Sequence, residues 1–169
     1  MPTHNTLRWG ILGAARINQQ LMPAIVAASN SELIAIASRR PGAAADTLKK
    51  YAPDINNVRI YDDPAELLKN PDIQAIYIPL ASQDHALWTL RAIEHGKHVL
   101  CEKPMALTIA DIDAIIAAAK KHQVCVMEGF MYRFHPQHAR IQEIIDAGTI
   151  GTIRSARTCF AYPMQAARL

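Results

Sequence analysis

The chain has 169 residues, half of them apolar and a fifth charged, which predicts one globular domain, or one domain with the start of a second. The formal net charge is only +3 and the lysines and arginines are scattered, which argues against a nucleic-acid-binding protein. No apolar run reaches the about 18 residues of a membrane span, and the N-terminus lacks the basic and apolar regions of a signal peptide.

Apolar strands alternate with helices along the chain. The predicted strands cover residues 7–12, 32–38, 58–61, 73–78, 98–101 and 123–127. The predicted helices cover residues 14–28, 43–51, 84–95 and 139–147, and two more begin after caps at Asp63 and Thr108. Because the strands are apolar on both faces, this alternation predicts a doubly wound parallel sheet of the α/β class.

A domain boundary is predicted at Gly148, where the last helix ends. Residues 152–162 are extended in pattern but have no partner strand in this sequence. A lone strand cannot satisfy its backbone hydrogen bonds, so it must pair with something else. We therefore predict one domain over residues 1–148 and the first strand of an incomplete second domain over residues 149–169.

Two of the predicted helices begin with recognisable side-chain caps. Asp63 precedes Pro64, and Glu66 can reach back to the cap residue. Thr108 caps a helix whose isoleucines share one face, which predicts that this face is buried. These isoleucines are Ile109, Ile112, Ile115 and Ile116.

The three cysteines, Cys101, Cys125 and Cys159, are widely spaced and form no CxxC motif. Cys101 and Cys125 lie in short apolar runs, which predicts buried, reduced thiols and therefore a reducing compartment such as the cytoplasm. His122, His135 and His138 have a spacing that does not suit a shared zinc site, which needs four converging ligands. We predict no bound metal.

The first strand ends at Gly13, which can make the tight turn of a phosphate-binding strand–turn–helix. The dinucleotide-binding fingerprint would have glycine at Ala15 and glycine or alanine at Asn18. Alanine still permits a fairly close approach, whereas Asn18 weakens the packing argument for the third position. From this motif alone, a phosphate site and a purely structural turn are about equally favoured.

The second strand ends in Ser38-Arg39-Arg40, without an acidic residue. An NAD-binding sheet would carry Asp or Glu there to bind the ribose hydroxyls, and a carboxylate would repel a 2′-phosphate. A serine hydroxyl and a planar guanidinium instead suit that phosphate, so the sequence favours NADP over NAD. The alternative is a solvated arginine pair in a turn before Pro41.

Glu102-Lys103-Pro104 directly follows the apolar strand 98–101. Ligands bind beyond the carboxyl ends of the strands in an open α/β sheet, so these two charged groups indicate a ligand site. The alternative is a surface ion pair of little consequence. Pro104 keeps Lys103 out of the helical region, and we predict a cis Lys103–Pro104 bond, which would turn Lys103 into the cleft.

Five segments of the chain resemble one known family in their order and spacing. They are W-G-I-L-G-A-A-R-I, A-S-R-R, Y-I-P-L-A-S-Q-D-H, C-E-K-P and E-G-F-M-Y-R-F-H-P-Q. Over essentially its whole length the chain resembles the glucose–fructose oxidoreductase / inositol dehydrogenase / rhizopine-catabolism (Gfo/Idh/MocA) family, and within it the NADP-dependent xylose dehydrogenase and dimeric dihydrodiol dehydrogenase subgroup. The resemblance implies an N-terminal Rossmann domain followed by a C-terminal α/β domain.

The resemblance also implies an NADP-binding site, with NAD as the less favoured cofactor. The residues implied along the pyrophosphate are Gly13, Ala14, Ala15, Arg16 and Ile17. Those implied at the 2′-phosphate are Ser38 and Arg39, with Arg40 nearby. Those implied near the nicotinamide ribose are Pro79, Leu80, Ser82, His85, Glu102, Lys103 and Pro104. Ser82 stands where the family usually has asparagine, and Arg133 matches the segment where the two domains meet, as an interface anchor or a ligand contact.

The resemblance gives Lys103, beside Glu102, the catalytic role of orienting the reacting hydroxyl and assisting proton transfer. The implied reaction is hydride transfer between the cofactor and the CH–OH group of a sugar or trans-dihydrodiol. Since the family's second domain supplies most of the substrate pocket and a further proton-transfer residue, we expect this chain alone to be inactive.

The complete protein is implied to form homo-oligomers through its C-terminal sheet. Two alternatives to a dehydrogenase fragment stay open. The chain could be a nucleotide-binding module that never catalyses, or a structural protein in which residues 152–162 add to a neighbour's sheet.

Overall fold

Strands and helices alternate through the first 130 residues of the computed structural model, which describes residues 6–161. The strands are β1 (Leu7–Leu12), β2 (Ser31–Ala37), β3 (Arg59–Tyr61), β4 (Ala75–Ile78), β5 (His98–Cys101) and β6 (Val126–Glu128). The helices are α1 (Asn18–Ala27), α2 (Ala43–Tyr51), α3 (Pro64–Leu68), α4 (Ser82–Glu94) and α5 (Ile109–His122).

All six strands are parallel and form one sheet in the order β3-β2-β1-β4-β5-β6. The direction of winding reverses between β1 and β4, so the loops after these two strands run to opposite faces and leave a crevice between them. The pairings Leu12–Ala37 and Ile78–Cys101 bring the strand ends level. The sheet thus confirms the predicted doubly wound α/β fold.

Two apolar cores lie on opposite faces of the sheet. The larger core includes Leu67 of α3, Trp88 of α4 and Ile115 of α5. The smaller core packs Met22 of α1 and Ala44 of α2 against the other face. Both faces of the sheet are buried, so the strands are apolar at nearly every position and do not alternate between apolar and polar residues.

The predicted bounds of β1, α2 and β5 are confirmed, but α1 and β6 begin three or more residues later than predicted. Helix α1 begins at Asn18 and not at residue 14, because residues 14–17 form the loop after Gly13. Strand β6 begins at Val126 and not at Gln123, because Gln123 ends α5 in the left-handed conformation with a φ of 56°.

The side-chain caps are confirmed in part. Asp63 Oδ1 accepts from the Ala65 N–H at 2.8 Å, but Glu66 pairs with Lys69 at 2.6 Å and does not return to the cap. Thr108 Oγ1 accepts from the Asp111 N–H at 3.1 Å, so this predicted cap is confirmed. The predicted apolar face of α5 is only partly buried: Ile115 is in the core, Ile112 packs against it, and Ile109 and Ile116 are exposed.

The cysteine prediction is right for one residue and wrong for another. All three cysteines are free, and Cys101 is buried at the end of β5, whereas Cys125 is exposed before β6. Cys125 precedes the edge strand of the sheet, so its short apolar run is not enclosed. Cys159 is also exposed.

The chain divides into two compact units, Met1–Phe130 and Met131–Leu169. The described part of the second unit holds a 3-10 helix at Met131–Phe134 and α6 (Pro136–Asp146), neither of which buries a residue. The predicted strand over 152–162 is not formed in its described part, residues 152–161, where no neighbouring strand is present to pair with it. The domain boundary at residue 148 stays a prediction.

Candidate functional site

Gly13 turns the chain at the end of β1 with a φ of +124°, a conformation that side chains rarely adopt. A Cβ at this position would lie 2.9 Å from Leu80 Cδ2, so Leu80 in the loop after β4 leaves little room for a side chain here. The Gly13 N–H donates to the Ala37 carbonyl at 2.9 Å. The sequence prediction of a tight turn at Gly13 is confirmed.

Asn18 closes the loop that follows. Its side chain is fully buried, and Nδ2 donates to the Gly13 carbonyl at 2.9 Å. Asparagine at the third fingerprint position therefore ties the turn to α1, which corrects the interpretation that Asn18 weakens this packing.

The backbone N–H groups between Gly13 and α1 remain available to a ligand. Those of Ala14, Ala15 and Arg16 donate to no acceptor within residues 6–161. They lie at the N-terminus of the ten-residue helix α1, where the helix dipole adds partial positive charge. Unpaired N–H groups at a helix start suit the oxygens of a phosphate, so this loop fits a pyrophosphate.

The two arginines after β2 have different environments. The Arg40 N–H donates to Ser38 Oγ at 3.2 Å, and Arg40 Nη2 donates to the Ala14 carbonyl at 2.6 Å. Arg40 therefore ties the loop after β2 to the loop after β1. Arg39 is exposed, and its Nη2 lies 3.9 Å from Asp84 Oδ2, a weak surface contact. The Arg39 guanidinium is thus the freer of the two for binding a ligand.

A cleft of about 380 Å³ lies among the loops after β1, β2 and β4. It brings together eight of the predicted cofactor contacts and three residues that were not predicted to contact the cofactor. The predicted residues are Gly13, Ala14, Ala15, Ser38, Arg39, Arg40, Pro79 and Leu80, and the others are Ala37, Pro64 and Ala81. This cleft lies at the switch point where doubly wound sheets bind ligands.

Two predicted pyrophosphate contacts lie elsewhere. Arg16 lines a neighbouring cleft of about 240 Å³ that also includes Arg40 and Lys50. Ile17 packs against the core under α1 and α2. Their side chains are therefore not part of the main cleft, and a contact by their backbone stays a prediction.

His85 of α4 is buried, and its predicted contact with the cofactor stays a prediction. Its side chain is 1% exposed, with Nδ1 2.7 Å from the Pro104 carbonyl oxygen and Nε2 2.9 Å from the Leu80 carbonyl oxygen. Both ring nitrogens therefore lie within hydrogen-bond distance of a backbone carbonyl oxygen, and the side chain lies between two loops. Ser82 is half-buried at the start of α4, and its cofactor contact stays a prediction.

Glu102 and Lys103 follow β5 as predicted, and the Lys103–Pro104 bond is cis as predicted. The Tyr77 hydroxyl, which the sequence did not point to, donates to Glu102 Oε1 at 2.9 Å. Burial raises the pKa of the Tyr77 phenol, and the Glu102 carboxylate adds to this rise. Tyr77 is therefore a neutral donor that fixes Glu102, whereas the side chain of Lys103 is exposed.

Glu128 contacts the loop after β5, a contact that the sequence analysis did not identify. The Met105 N–H donates to Glu128 Oε1 at 2.8 Å, and Glu128 pairs with Cys101 in the sheet register. Its place at the carboxyl end of β6 was the available signal. Glu128 directly follows the predicted strand 123–127, as Glu102 follows 98–101, but no role was predicted for it.

The other residue types considered for function add no second site. Arg133 is exposed in the 3-10 helix of the second unit, and its role stays a prediction. Among residues 6–161, His, Cys, Asp and Glu side chains form no group of three or more that could hold a metal ion. Within the same range, no helix is long and apolar enough to cross a membrane.

Known proteins with similar sequences include a sugar-nucleotide reductase and a diol dehydrogenase. The chain is 37% identical over 160 residues to a dTDP-3,4-didehydro-2,6-dideoxy-α-D-glucose 3-reductase of Actinomadura kijaniata, covering 94% of this chain and 47% of that protein. It is 33% identical to a trans-1,2-dihydrobenzene-1,2-diol dehydrogenase of Xenopus laevis, covering 93% of this chain and 47% of the relative. The chain thus spans about half the length of the curated relatives it matches.

A solved structure of a reductase has a similar fold. The 3-ketoreductase KijD10 of Actinomadura kijaniata, in complex with NADP and TDP-benzene, superposes with a TM-score of 0.79 and 35% identity, over 89% of this chain and 45% of that chain. Residues 7–130 match the model of an oxidoreductase family with an NAD-binding Rossmann fold. The chain therefore belongs to the Gfo/Idh/MocA family of oxidoreductases.

Proposed function

We propose that this chain is the NADP(H)-binding part of an oxidoreductase that transfers a hydride between the nicotinamide and the CH–OH group of a sugar or a trans-dihydrodiol. The observation that carries the proposal is the cleft at the switch point of the sheet. The same cleft is lined by the loop after β1, which has unpaired N–H groups, and by Arg39, whose guanidinium is exposed. They supply the donors that a pyrophosphate and a 2′-phosphate require.

The choice of NADP over NAD rests on the end of β2. The residues directly after β2, Ser38-Arg39-Arg40, include no carboxylate. Ser38 and Arg39 stand where the adenosine ribose is bound in sheets of this type. KijD10, which shares this fold at 35% identity, is known in complex with NADP.

The chemistry of the proposal centres on Lys103. The bound nicotinamide would supply or accept the hydride. The exposed Lys103 ammonium has three donors and belongs to the second residue after β5, so it would orient the substrate oxygen and move a proton on it. The substrate class rests on the relatives, one of which acts on a deoxysugar nucleotide and another on a dihydrodiol.

A fluorescence titration of residues 1–169 with NADPH and NADH tests the cofactor. We expect NADPH to bind more tightly, and Arg39→Ala to weaken NADPH by about 10- to 100-fold, as for the loss of a charge-assisted hydrogen bond, with little change for NADH. Arg154→Ala, at an exposed arginine of the second unit, is the matched control. Absence of NADPH binding, or a preference for NADH, contradicts the proposal.

The whole protein's organisation is also a proposal. We infer that residues 149–169 begin a second α/β domain, which carries the substrate pocket and forms homo-oligomers through its sheet in a reducing cytoplasm. On their own, residues 1–169 should then bind NADPH without turning over a sugar or diol. A non-catalytic nucleotide-binding module would give no turnover even when the second domain of a relative is supplied.

A further inference from the structure

The loop 102–105 is held by its neighbours on both sides of Lys103. On the N-terminal side, the Glu102 N–H donates to the Ile78 carbonyl at 3.1 Å, and the Glu102 carboxylate accepts from Tyr77 at 2.9 Å. Lys103 is exposed, and its side chain makes no hydrogen bond or ion pair within residues 6–161. Hydrogen bonds therefore hold the loop before Lys103, whereas the Lys103 ammonium is free to bind a ligand.

The C-terminal side of the loop is held by two ionisable side chains from two other elements. His85 Nδ1 of α4 lies 2.7 Å from the Pro104 carbonyl oxygen. Glu128 Oε1, at the end of β6, accepts from the Met105 N–H at 2.8 Å. Both contacts are to backbone atoms within two residues of Lys103, so together they fix the direction in which the chain leaves it.

His85 also connects this loop to the wall of the cleft. Its second ring nitrogen lies 2.9 Å from the carbonyl of Leu80, and Leu80 lines the cleft. A neutral imidazole can donate only one of these two hydrogen bonds, whereas the imidazolium donates both. One buried ring thus lies between the cleft wall and the loop that carries Lys103.

We propose that His85 and Glu128 are positioning residues, which hold the backbone after Lys103 so that its ammonium reaches the nicotinamide ribose of the bound cofactor. This inference rests on the proposed function and deepens it. Strand β5 keeps its pairing with β4 and β6 without either side chain, so their removal should misplace Lys103 before it disturbs the sheet.

A double-mutant cycle on residues 1–169 tests the proposal. The affinity for NADPH is measured for Lys103→Ala, Glu128→Ala and the double variant, with 2′,5′-ADP as a probe of the adenosine half of the cleft. We expect Lys103→Ala to weaken NADPH about tenfold, as for one lost hydrogen bond. We expect Glu128→Ala to weaken it three- to tenfold, and the double variant to lose no more than Lys103→Ala. Affinity for 2′,5′-ADP should stay unchanged throughout.

Conservative variants separate positioning from folding. Glu128→Gln keeps an acceptor for the Met105 N–H and should bind NADPH with the wild-type affinity. His85→Asn should behave like Glu128→Ala, with His95→Asn at an exposed histidine as its control. If His85→Asn fails to fold, the Glu128 series alone decides.

The outcomes also separate this inference from the proposed function. Additive losses in the cycle, an unchanged affinity in Lys103→Ala, or an equal loss of 2′,5′-ADP affinity in Glu128→Ala would each overturn the positioning role. Wild-type protein that binds neither NADPH nor 2′,5′-ADP would instead overturn the proposed function.

Discussion

Gly13 shows how one residue can serve both the backbone and the cleft. Its φ of +124° strains any side chain, and a Cβ there would meet Leu80 Cδ2 at 2.9 Å. We expect Gly13→Ala to lower the free energy of unfolding by about 1–3 kcal/mol. It should also weaken NADPH binding, because Leu80 lines the cleft. Urea denaturation and NADPH titration measure the two effects.

Gly42 is the matched control for this variant. It also has a positive φ, 75°, but a Cβ added there would have no atom within 4 Å. Gly42→Ala should therefore lower stability through backbone strain and leave NADPH affinity unchanged. Equal NADPH affinities in the two alanine variants would contradict the crowding argument for Gly13.

Cys101 and Cys125 differ in a way that labelling can detect. Burial raises the pKa of the Cys101 thiol to about 12, so at pH 8 only about 1 in 10⁴ molecules carries the reactive thiolate. Cys125 and Cys159 are exposed. We expect iodoacetamide to modify these two in the native protein and to modify Cys101 only after unfolding in urea. Mass spectrometry of the digested protein checks this, and early modification of Cys101 would refute it.

At the scale of elements, the sequence predicted those features that depend on local pattern. The apolar runs identified every strand of the sheet, and Thr108 and Asp63 marked two helix starts through their own hydrogen bonds. The first turn of α1 was wrong because its start depends on a contact between Asn18 and Gly13, which no periodicity reveals.

Residues of the candidate site could be predicted where they lie next to a strand end, because the local sequence pattern shows where a strand ends. Strand ends placed Ser38, Arg39 and Lys103 at one edge of the sheet. The roles of His85 and Glu128 depend on carbonyl and N–H groups 19 and 23 residues away along the chain. Such contacts arise when α4, β5 and β6 pack together, so the pattern of any one segment cannot supply them.

Lys97 joins β5 to the segment between α3 and β4. The ammonium is buried and donates to the carbonyls of Asn70 at 2.7 Å and Ile73 at 2.8 Å. Lys97→Met leaves both carbonyls without this donor, and we expect the free energy of unfolding to fall by about 1–3 kcal/mol. Lys69→Met, at an exposed ion pair, should change it by less than about 0.5 kcal/mol. Urea denaturation at pH 7 compares them.

The same lysine predicts a dependence on pH. Burial lowers the pKa of Lys97 below its ordinary 10.5, so the native state releases this proton more readily than the unfolded state. The Lys97 contribution to stability should therefore rise with pH between the lowered native pKa and 10.5, and be constant below that window. The difference in unfolding free energy between wild type and Lys97→Met isolates this contribution. A difference that falls with rising pH in the window would contradict it.

On the scale of the whole molecule, the two units differ in how much they bury. The first unit has a core on each face of its sheet, whereas no helical residue of the second unit is buried. Segments that bury little open locally at small cost in free energy. The second unit should therefore be the first to be cleaved by a protease.

Limited trypsin digestion tests this difference and the cofactor site together. We expect the first cuts after the exposed arginines in the described part of the second unit, which are Arg133, Arg140, Arg154 and Arg157. A cut after the exposed Arg39 should come later, and NADPH should slow that cut without slowing those in the second unit, because Arg39 lines the cleft. Mass spectrometry of a time course, with and without NADPH, follows each cut. First cuts inside residues 6–130, or equal protection of both units by NADPH, would contradict the division of the chain into a cofactor-binding core and an open second unit.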